Sequence, residues 1–131
     1  MKIYVAASFG KKKEVLKIYQ RLKELRQDIS GDWTLHKPIS PYEKNQELAK
    51  EYSIEDINAV EDCDIFILIA DEINSKGKYI ELGAAILSNV KFGKPKIYVV
   101  GNFNKNSMFY FHPSVKKINF VEEVLKELGN L

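Results

Sequence analysis

Glu81 is the acidic residue whose placement most suggests chemistry. It follows a polar strand-end loop and falls in the predicted first turn of a helix that runs from Gly77 or Lys78 to about Val90. A helix N-terminus carries partial positive charge and favours the ionised form of a nearby carboxylate. An ionised, partly buried carboxylate at the carboxyl edge of a sheet can act as a nucleophile. From spacing alone, a carboxylate that only complements the helix dipole is the simpler interpretation.

Asp56 is a second candidate acid, eight residues before Asp64 on the helix that leads into the central strand. A carboxylic acid at that place can assist a leaving group or position a sugar hydroxyl. Taken alone, it is more typical of a solvated helix acid. Asp62 and Asp64 enter the strand at its amino end, the wrong edge for chemistry, whereas Asp71 leaves from the correct edge and is a reserve candidate.

The segment after the first predicted strand, Ser8-Phe9-Gly10-Lys11, opens a helix. A hydroxyl and a glycine at a helix N-terminus can bind an anion. The segment matches neither a Walker loop nor a Gly-x-Gly-x-x-Gly dinucleotide loop. The lysine run at positions 11–13 is otherwise typical of a solvated face.

The histidines and the cysteine predict no metal site. His36 and His112 each lack a second histidine or cysteine at ligand spacing, and Cys63 is the only cysteine. Cys63 is expected to be a small buried hydrophobe. His36 lies at the end of a short predicted strand and suits a pocket wall and a structural role equally.

Strands and helices alternate along the chain. The predicted strands are Lys2 to Ala7, Trp33 to His36, Asp64 to Ala70, Lys96 to Val100 and Lys117 to Phe120. Continuous apolar strands alternating with helices predict an α/β fold, a single-domain, doubly wound (Rossmann- or flavodoxin-like) parallel sheet of about five strands with helices on both faces. Ligands bind such sheets outside the carboxyl ends of the strands. Two loops at that edge are the polar one from Asp71 to Lys76 and the aromatic one from Gly101 to Pro113, the second a candidate lid or subunit contact.

Composition narrows the class of protein. The chain has 131 residues, 45% of them hydrophobic, and a net charge of +2. No large positive field selects for nucleic acid, and the longest apolar run, Ile65 to Ala70, is far shorter than a membrane span. We therefore expect one soluble, cytoplasmic domain over residues 1–131, with neither a nucleic acid nor a membrane as partner.

The whole chain resembles the nucleoside 2-deoxyribosyltransferase superfamily, and within it the 2'-deoxynucleoside 5'-monophosphate N-glycosidases (N-hydrolases). The resemblance runs roughly from Met1 to Pro113. Its most specific part extends from Asp56 through Asp64-Ile-Phe-Ile-Leu-Ile to Ser75-x-Gly-x-Tyr-x-Glu81-Leu-Gly. The resemblance implies that Glu81 is the nucleophile and that Asp56 assists at the sugar and the leaving base.

The same resemblance implies the substrate contacts. Ser75, six residues before Glu81, stands where the transferases carry an acidic residue, which implies a 5'-phosphate contact, and the first loop contributes Ser8 and Gly10. The hydrolases usually have an arginine in this loop, and here Lys11 is the candidate for its charge. The residues expected to contact substrate are Ser8, Phe9, Gly10, Lys11, Trp33, His36, Ser75, Gly77, Tyr79, Ser107 and Met108.

The segment Asn106-Ser107-Met108 resembles an element that the hydrolases bring from a neighbouring subunit. It implies a homodimer, or a dimer-based oligomer, in which Ser107 completes the partner's site.

The implied activity is hydrolysis of the N-glycosidic bond of (2'-deoxy)nucleoside 5'-monophosphates, without metal or cofactor. Free nucleobase and (deoxy)ribose 5-phosphate are the products. Three alternatives stay open: a deoxyribosyltransferase that moves deoxyribose between bases, a non-catalytic nucleotide-binding module, and glycosidic cleavage of another substrate such as a dinucleotide cofactor.

Overall fold

The protein forms a five-stranded parallel sheet with the strand order β2-β1-β3-β4-β5. The computed structural model describes residues 1–72 and 75–129, so the middle of the polar loop predicted for Asp71 to Lys76 lies outside the described residues. The strands are β1 (Lys2–Ala6), β2 (Asp28–Ile29), β3 (Ile65–Ile69), β4 (Lys96–Val100) and β5 (Val115–Ile118). The predicted doubly wound α/β fold is confirmed.

Four helices in the described part of the chain cover the sheet. They are α1 (Lys12–Glu24), α2 (Gln46–Asp62), α3 (Lys76–Phe92) and α4 (Val121–Gly129). Helix α2 packs against α3, whereas α1 adjoins α4 through an ion pair of 2.5 Å between Arg21 and Glu122. None of the helices in residues 1–72 and 75–129 is long and apolar enough to cross a membrane.

The central strands hold the core. All five residues of β3 are buried, and only the first residue of β1 and of β4 is exposed. Burial of both faces explains why these strands are continuous apolar runs rather than alternating ones. Tyr4 pairs in register with Phe66, and their rings stack at 5.8 Å between centroids.

Cys63 is fully buried beside β3, and its thiol donates a hydrogen bond to the Val60 carbonyl at 3.1 Å. Burial raises the pKa of the Cys63 thiol to about 12. Reactive cysteines have depressed pKa values, so Cys63 is the buried hydrophobe that was expected.

The predicted strand from Trp33 to His36 is wrong. The second strand is the two-residue β2, Asp28–Ile29, and residues Trp33–Leu35 form a 3-10 turn. Gly31 adopts a φ of +62°, which turns the chain away from the sheet after β2. The Trp33 indole N–H then donates to the Val5 carbonyl at 2.6 Å, which places the ring over β1 rather than in the sheet.

The last strand is shifted from its predicted position at Lys117 to Phe120. It occupies Val115–Ile118, because Val115 and Ile118 are the residues whose side chains reach the core, whereas Phe120 is 66% exposed.

Candidate active site

Glu81 lies in the second turn of α3, because that helix begins at Lys76 rather than at Gly77 or Lys78. The residue is partly buried, and its Oε2 atom is shielded from solvent with no hydrogen-bond partner among the described residues. Burial raises the pKa of the Glu81 carboxyl to about 8; the Tyr4 hydroxyl opposes this shift and the charge of Asp56 adds to it.

Burial therefore opposes the ionised form that the helix N-terminus was expected to maintain. The influence of a helix terminus fades within the first turn and is typically worth about 0.3–1 kcal/mol. A rise in pKa from 4.5 to about 8 corresponds to several kcal/mol. Desolvation thus outweighs the helix dipole, and the buried position of Glu81 favours its protonated form.

Tyr4 is a site residue that the sequence analysis missed. Its side chain is fully buried in β1 beside Glu81, and its hydroxyl has no partner at hydrogen-bonding geometry among the described residues. Burial, followed by the negative charges of Glu81 and Asp56, raises the pKa of Tyr4, so it remains a neutral hydrogen-bond donor. The only sequence signal was a hydroxyl group within an apolar strand.

Asp56 lies half-buried on α2 and belongs to the same electrostatic group as Glu81. Burial raises the pKa of Asp56, the neighbouring His36 lowers it, and Glu55 raises it. The ring of His36 stacks on Tyr52 at 3.8 Å between centroids, and His36 Nε2 is 3.0 Å from Glu55 Oε2. Glu81 and Asp56, both predicted from sequence, thus lie within electrostatic reach of Tyr4, and His36 lies within reach of Asp56.

A buried polar cluster, formed by Ser8, Asp71 and Lys78, joins the loop after β1 to the beginning of α3. Their residue exposures are 2%, 7% and 1%. Lys78 Nζ lies 2.7 Å from Asp71 Oδ1 and 3.5 Å from Ser8 Oγ, and the Ser8 hydroxyl donates to Asp71 Oδ1 at 3.3 Å. The role of Lys78 was not predicted, since a lysine in a Ser-Lys-Gly-Lys segment is usually solvated.

The first loop divides into parts with different surroundings. Phe9, Gly10 and Lys11 form a 3-10 turn. Phe9 is 52% exposed, with its ring 6.0 Å from that of Trp33. Lys11 Nζ lies 3.4 Å from Glu14 and lines a cavity of about 410 Å³ between the ends of β3 and β4 and the start of α4.

The segment at the start of α3 places small groups beside Glu81. Ser75 precedes the helix, and its side chain makes no capping hydrogen bond. A methyl group on Gly77 would lie 3.8 Å from Glu81 Oε1, so the glycine borders the carboxyl. Tyr79 points elsewhere, since its ring stacks with Tyr110 at 6.1 Å between centroids.

Ser107 contacts a different side of α3. Its hydroxyl accepts a hydrogen bond from the Phe109 N–H at 3.3 Å and caps the turn Met108–Phe111, in which Met108 is 78% exposed. It also borders a cavity of about 300 Å³ lined by Tyr79, Leu82, Gly83, Ile86 and Phe109. Helical positions 79, 82, 83 and 86 form one stripe, whereas 77 and 81 belong to another. Among the described residues, the surroundings of Ser107 therefore do not include Glu81.

Among the described residues, no group of three or more histidine, cysteine, aspartate or glutamate side chains is arranged to hold a metal ion.

Comparison with known proteins defines the class of fold. No protein-family model matches the sequence, and no curated protein matches it significantly. Several solved structures match, and two of them illustrate the similarity. The CMP N-glycosidase BcmB from Clostridium botulinum is 22% identical over 100% of both chains, with a TM-score of 0.61. The 2-deoxyribosyltransferase from the psychrotolerant Bacillus psychrosaccharolyticus is 17% identical over 95% of this chain and 90% of that one, with a TM-score of 0.67.

The chain therefore shares its doubly wound fold with an N-glycosidase and a deoxyribosyltransferase. The doubly wound fold that the alternating strands and helices predict is therefore also the fold of both structures.

Proposed function

We propose that the protein cleaves the N-glycosidic bond of nucleoside 5'-monophosphates and releases free base and sugar 5-phosphate. The observation that carries the proposal is the Glu81 carboxyl, with one oxygen buried and unpartnered among the described residues, beside Tyr4 and within the electrostatic reach of Asp56. Perturbed acids of this kind cluster at functional sites. Two enzymes named for N-glycosidase and deoxyribosyltransferase activity share the fold and support the assignment.

The carboxylate of Glu81 supplies what the glycosidic cleavage requires. The reaction passes through an oxocarbenium-like state with positive charge at C1' of the sugar. In the ionised form, Glu81 stabilises that charge and attacks C1' as the base departs. The Tyr4 hydroxyl lowers the pKa of Glu81 and so favours the ionised form. An electron-withdrawing 2'-hydroxyl destabilises the cation, so 2'-deoxy substrates react more readily.

Asp56 is the acid that assists the leaving base. Burial raises the pKa of Asp56, and in its protonated form this carboxyl transfers a proton to the base as the C1'–N bond breaks. Water then attacks C1' and gives a proton to the Asp56 carboxylate, which releases the sugar 5-phosphate and regenerates Glu81. When a second base attacks in place of water, the same steps give the deoxyribosyltransferase.

The first loop and the start of α3 form the substrate-binding part of the proposal. Backbone N–H groups at the beginning of a helix bind phosphate, and Ser8, Gly10 and Ser75 lie at such positions. The exposed ring of Phe9 offers a stacking face for a base, and Trp33 supports that ring from below.

Base release from a substrate panel tests this function. Purified protein is incubated with deoxy- and ribonucleoside 5'-monophosphates and the free nucleosides, with and without a second base, and the products are separated by chromatography. We expect base release from the deoxymonophosphates without an acceptor. Release only from nucleosides, or only with an acceptor base, would instead identify a transferase. Nucleotide binding without any release would identify a binding module.

We propose in addition that the active form is a homodimer in which Ser107 completes the partner's site. The outer surfaces of α2 and α3 and the Ser107 turn expose large apolar side chains: Ile54, Ile57, Ile80, Leu87, Val90, Met108 and Phe109. Helices α2 and α3 pack side by side, and exposed apolar side chains on neighbouring elements are typical of an interface. A second copy is its natural occupant, since Ser107 contacts a stripe of α3 that excludes its own Glu81.

Mixing two inactive variants tests the shared site. In a dimer of two Glu81→Gln chains, or of two Ser107→Ala chains, both active sites lack a required side chain. A mixed dimer keeps one intact site, so we expect random mixing to restore about a quarter of the natural activity. The matched control is a mixture of Glu81→Gln with Asp56→Asn, which cannot complement because one chain supplies both residues. If mixed dimers form, as shown by native mass spectrometry, and remain inactive, Ser107 does not act across the interface.

A further inference from the structure

The buried cluster of Ser8, Asp71 and Lys78 occupies the switch point of the sheet. After β1 the chain proceeds to β2 on one side, and after β3 it proceeds to β4 on the other. Ligands of doubly wound sheets bind in the crevice at such a point. Ser8 follows β1, Asp71 follows β3, and Lys78 lies in the first turn of α3. The cluster therefore forms the floor of the crevice where the proposed substrate binds.

We propose that Lys78 determines the preference for a 5'-phosphate by neutralising Asp71. This inference rests on the proposed function and names a residue that sets its substrate class. An acidic side chain at the switch point repels a phosphate dianion, and the repulsion is strong in a crevice of reduced dielectric constant. The Lys78 ammonium, 2.7 Å from the Asp71 carboxylate, cancels that charge.

The burial of the pair supports this role. The side-chain exposures of Lys78 and Asp71 are 0% and 4%, so water screens their charges weakly. Removal of either side chain takes from the other a charged partner at 2.7 Å. A buried ion pair is weak evidence for added stability, because desolvation offsets much of the attraction. A role in substrate selection therefore explains the pair better than stability does.

Ser8 links the pair to the substrate. Its hydroxyl accepts from Lys78 and donates to Asp71, and it can turn its proton to a phosphate oxygen while Lys78 continues to hold Asp71. The first-loop cation Lys11 is directed to Glu14 instead. Lys78 also precedes Glu81 by three residues on α3, so the nucleophile and the neutralising charge are carried by one helix.

If this inference is right, removing the positive charge of Lys78 and removing the negative charge of Asp71 have opposite effects on the preference for a phosphorylated substrate. We compare Lys78→Met, Asp71→Asn and the double variant, and measure kcat/KM for a monophosphate and for its nucleoside. Lys78→Met should lower the ratio of kcat/KM for the monophosphate to kcat/KM for the nucleoside by about 10- to 100-fold, the scale of one uncompensated charge near a phosphate after screening. Asp71→Asn should maintain or raise the ratio, and the double variant should lie within about threefold of the natural protein, since it again carries no net charge.

A structural role gives a different pattern. If all three variants lose activity on both substrates with an unchanged ratio, or if both single variants lower the ratio, the inference is overturned. Loss of one partner from a buried pair is strongly destabilising, so Lys78→Met is used only if thermal unfolding shows it folded. If Lys78→Met does not fold, Asp71→Asn is compared with the double variant instead. A monophosphate-to-nucleoside ratio of kcat/KM that is lower in Asp71→Asn than in the double variant contradicts the proposal.

A binding measurement separates this inference from the proposed function. Calorimetric titration with deoxyribose 5-phosphate reports on the phosphate crevice even if no base is released. We expect binding to weaken in Lys78→Met and to persist in the double variant. If this binding pattern is found without base release, the proposed reaction is refuted and the role of Lys78 is retained. If base is released but neither binding nor the substrate ratio differs among the variants, the proposed reaction is retained and the role of Lys78 is refuted.

Discussion

Glu81→Gln should make the protein more stable at alkaline pH, by about 3–5 kcal/mol above pH 9. The pKa of Glu81 is raised by burial to about 8 in the folded protein, from 4.5 for the ordinary group. Folding therefore favours the protonated form, and the stability of the natural protein falls as the pH rises from about 4.5 through 8. Glutamine has a similar shape and never ionises, so the variant escapes this loss.

Urea unfolding at several pH values measures this effect. The two proteins should have nearly equal free energies of unfolding at pH 4, and the difference should grow between pH 4.5 and 8 and then stay constant. A pH-independent difference would contradict the buried position of Glu81.

Glu127→Gln is a matched control with the opposite sign. Hydrogen bonds from Lys116 and Tyr98 lower the pKa of Glu127 to about 2. This carboxylate therefore stabilises the protein above pH 4.5, and its contribution is lost as the pH falls toward 2. Glu127→Gln should be less stable than the natural protein at neutral pH, with a difference that shrinks in acid.

The pH dependence of kcat/KM should follow the titration of Glu81 and Asp56. Because Glu81 must be ionised and Asp56 protonated, the active form holds one proton between the two carboxyls, so kcat/KM should be level just below pH 8 and fall about tenfold per pH unit above it. Asp56 raises the pKa of Glu81 and the Tyr4 hydroxyl lowers it. The midpoint should therefore move to lower pH in Asp56→Asn and to higher pH in Tyr4→Phe.

Because the midpoint moves in opposite directions in these two variants, the titration of Glu81 can be distinguished from that of the substrate. The phosphate group of the substrate titrates near pH 6, and this contribution is the same for every variant. Asp56→Asn should also lower the plateau by about 100- to 10,000-fold if Asp56 acts as the general acid. A midpoint that stays fixed, or moves in the same direction in both variants, would show that another group controls the rate.

The central strands could be predicted from sequence, whereas β2 could not. The five residues of β3 are all apolar and buried. Such an unbroken run of apolar residues is not expected in a surface element, so it identifies a central strand. The two residues of β2 are too few to show any period. Trp33 has a high strand propensity, but its position is decided by a hydrogen bond to Val5, 28 residues earlier.

The site residues that belong to a motif could be predicted from sequence. Those whose burial depends on partners far away in the chain could not. Glu81 and Asp56 were found through their spacing and the family resemblance. Lys78 is buried by Asp71 and Ser8, the second of which is 70 residues away in the chain. The pKa of Glu81 depends on the packing of α3 against β1, which places Tyr4 beside it. Local sequence describes the helix terminus but not this desolvation.

Base release by the natural protein and by Glu81→Gln, measured side by side at pH 8, tests the central claim most directly. The substrate is the best deoxynucleoside monophosphate from the panel, and free base is quantified over time. We expect a loss of at least about 1,000-fold in Glu81→Gln, the scale seen when a nucleophile is removed, in a protein that is as stable as the natural one or more so. Base release by Glu81→Gln within tenfold of the natural rate would contradict the assignment of Glu81 as the nucleophile.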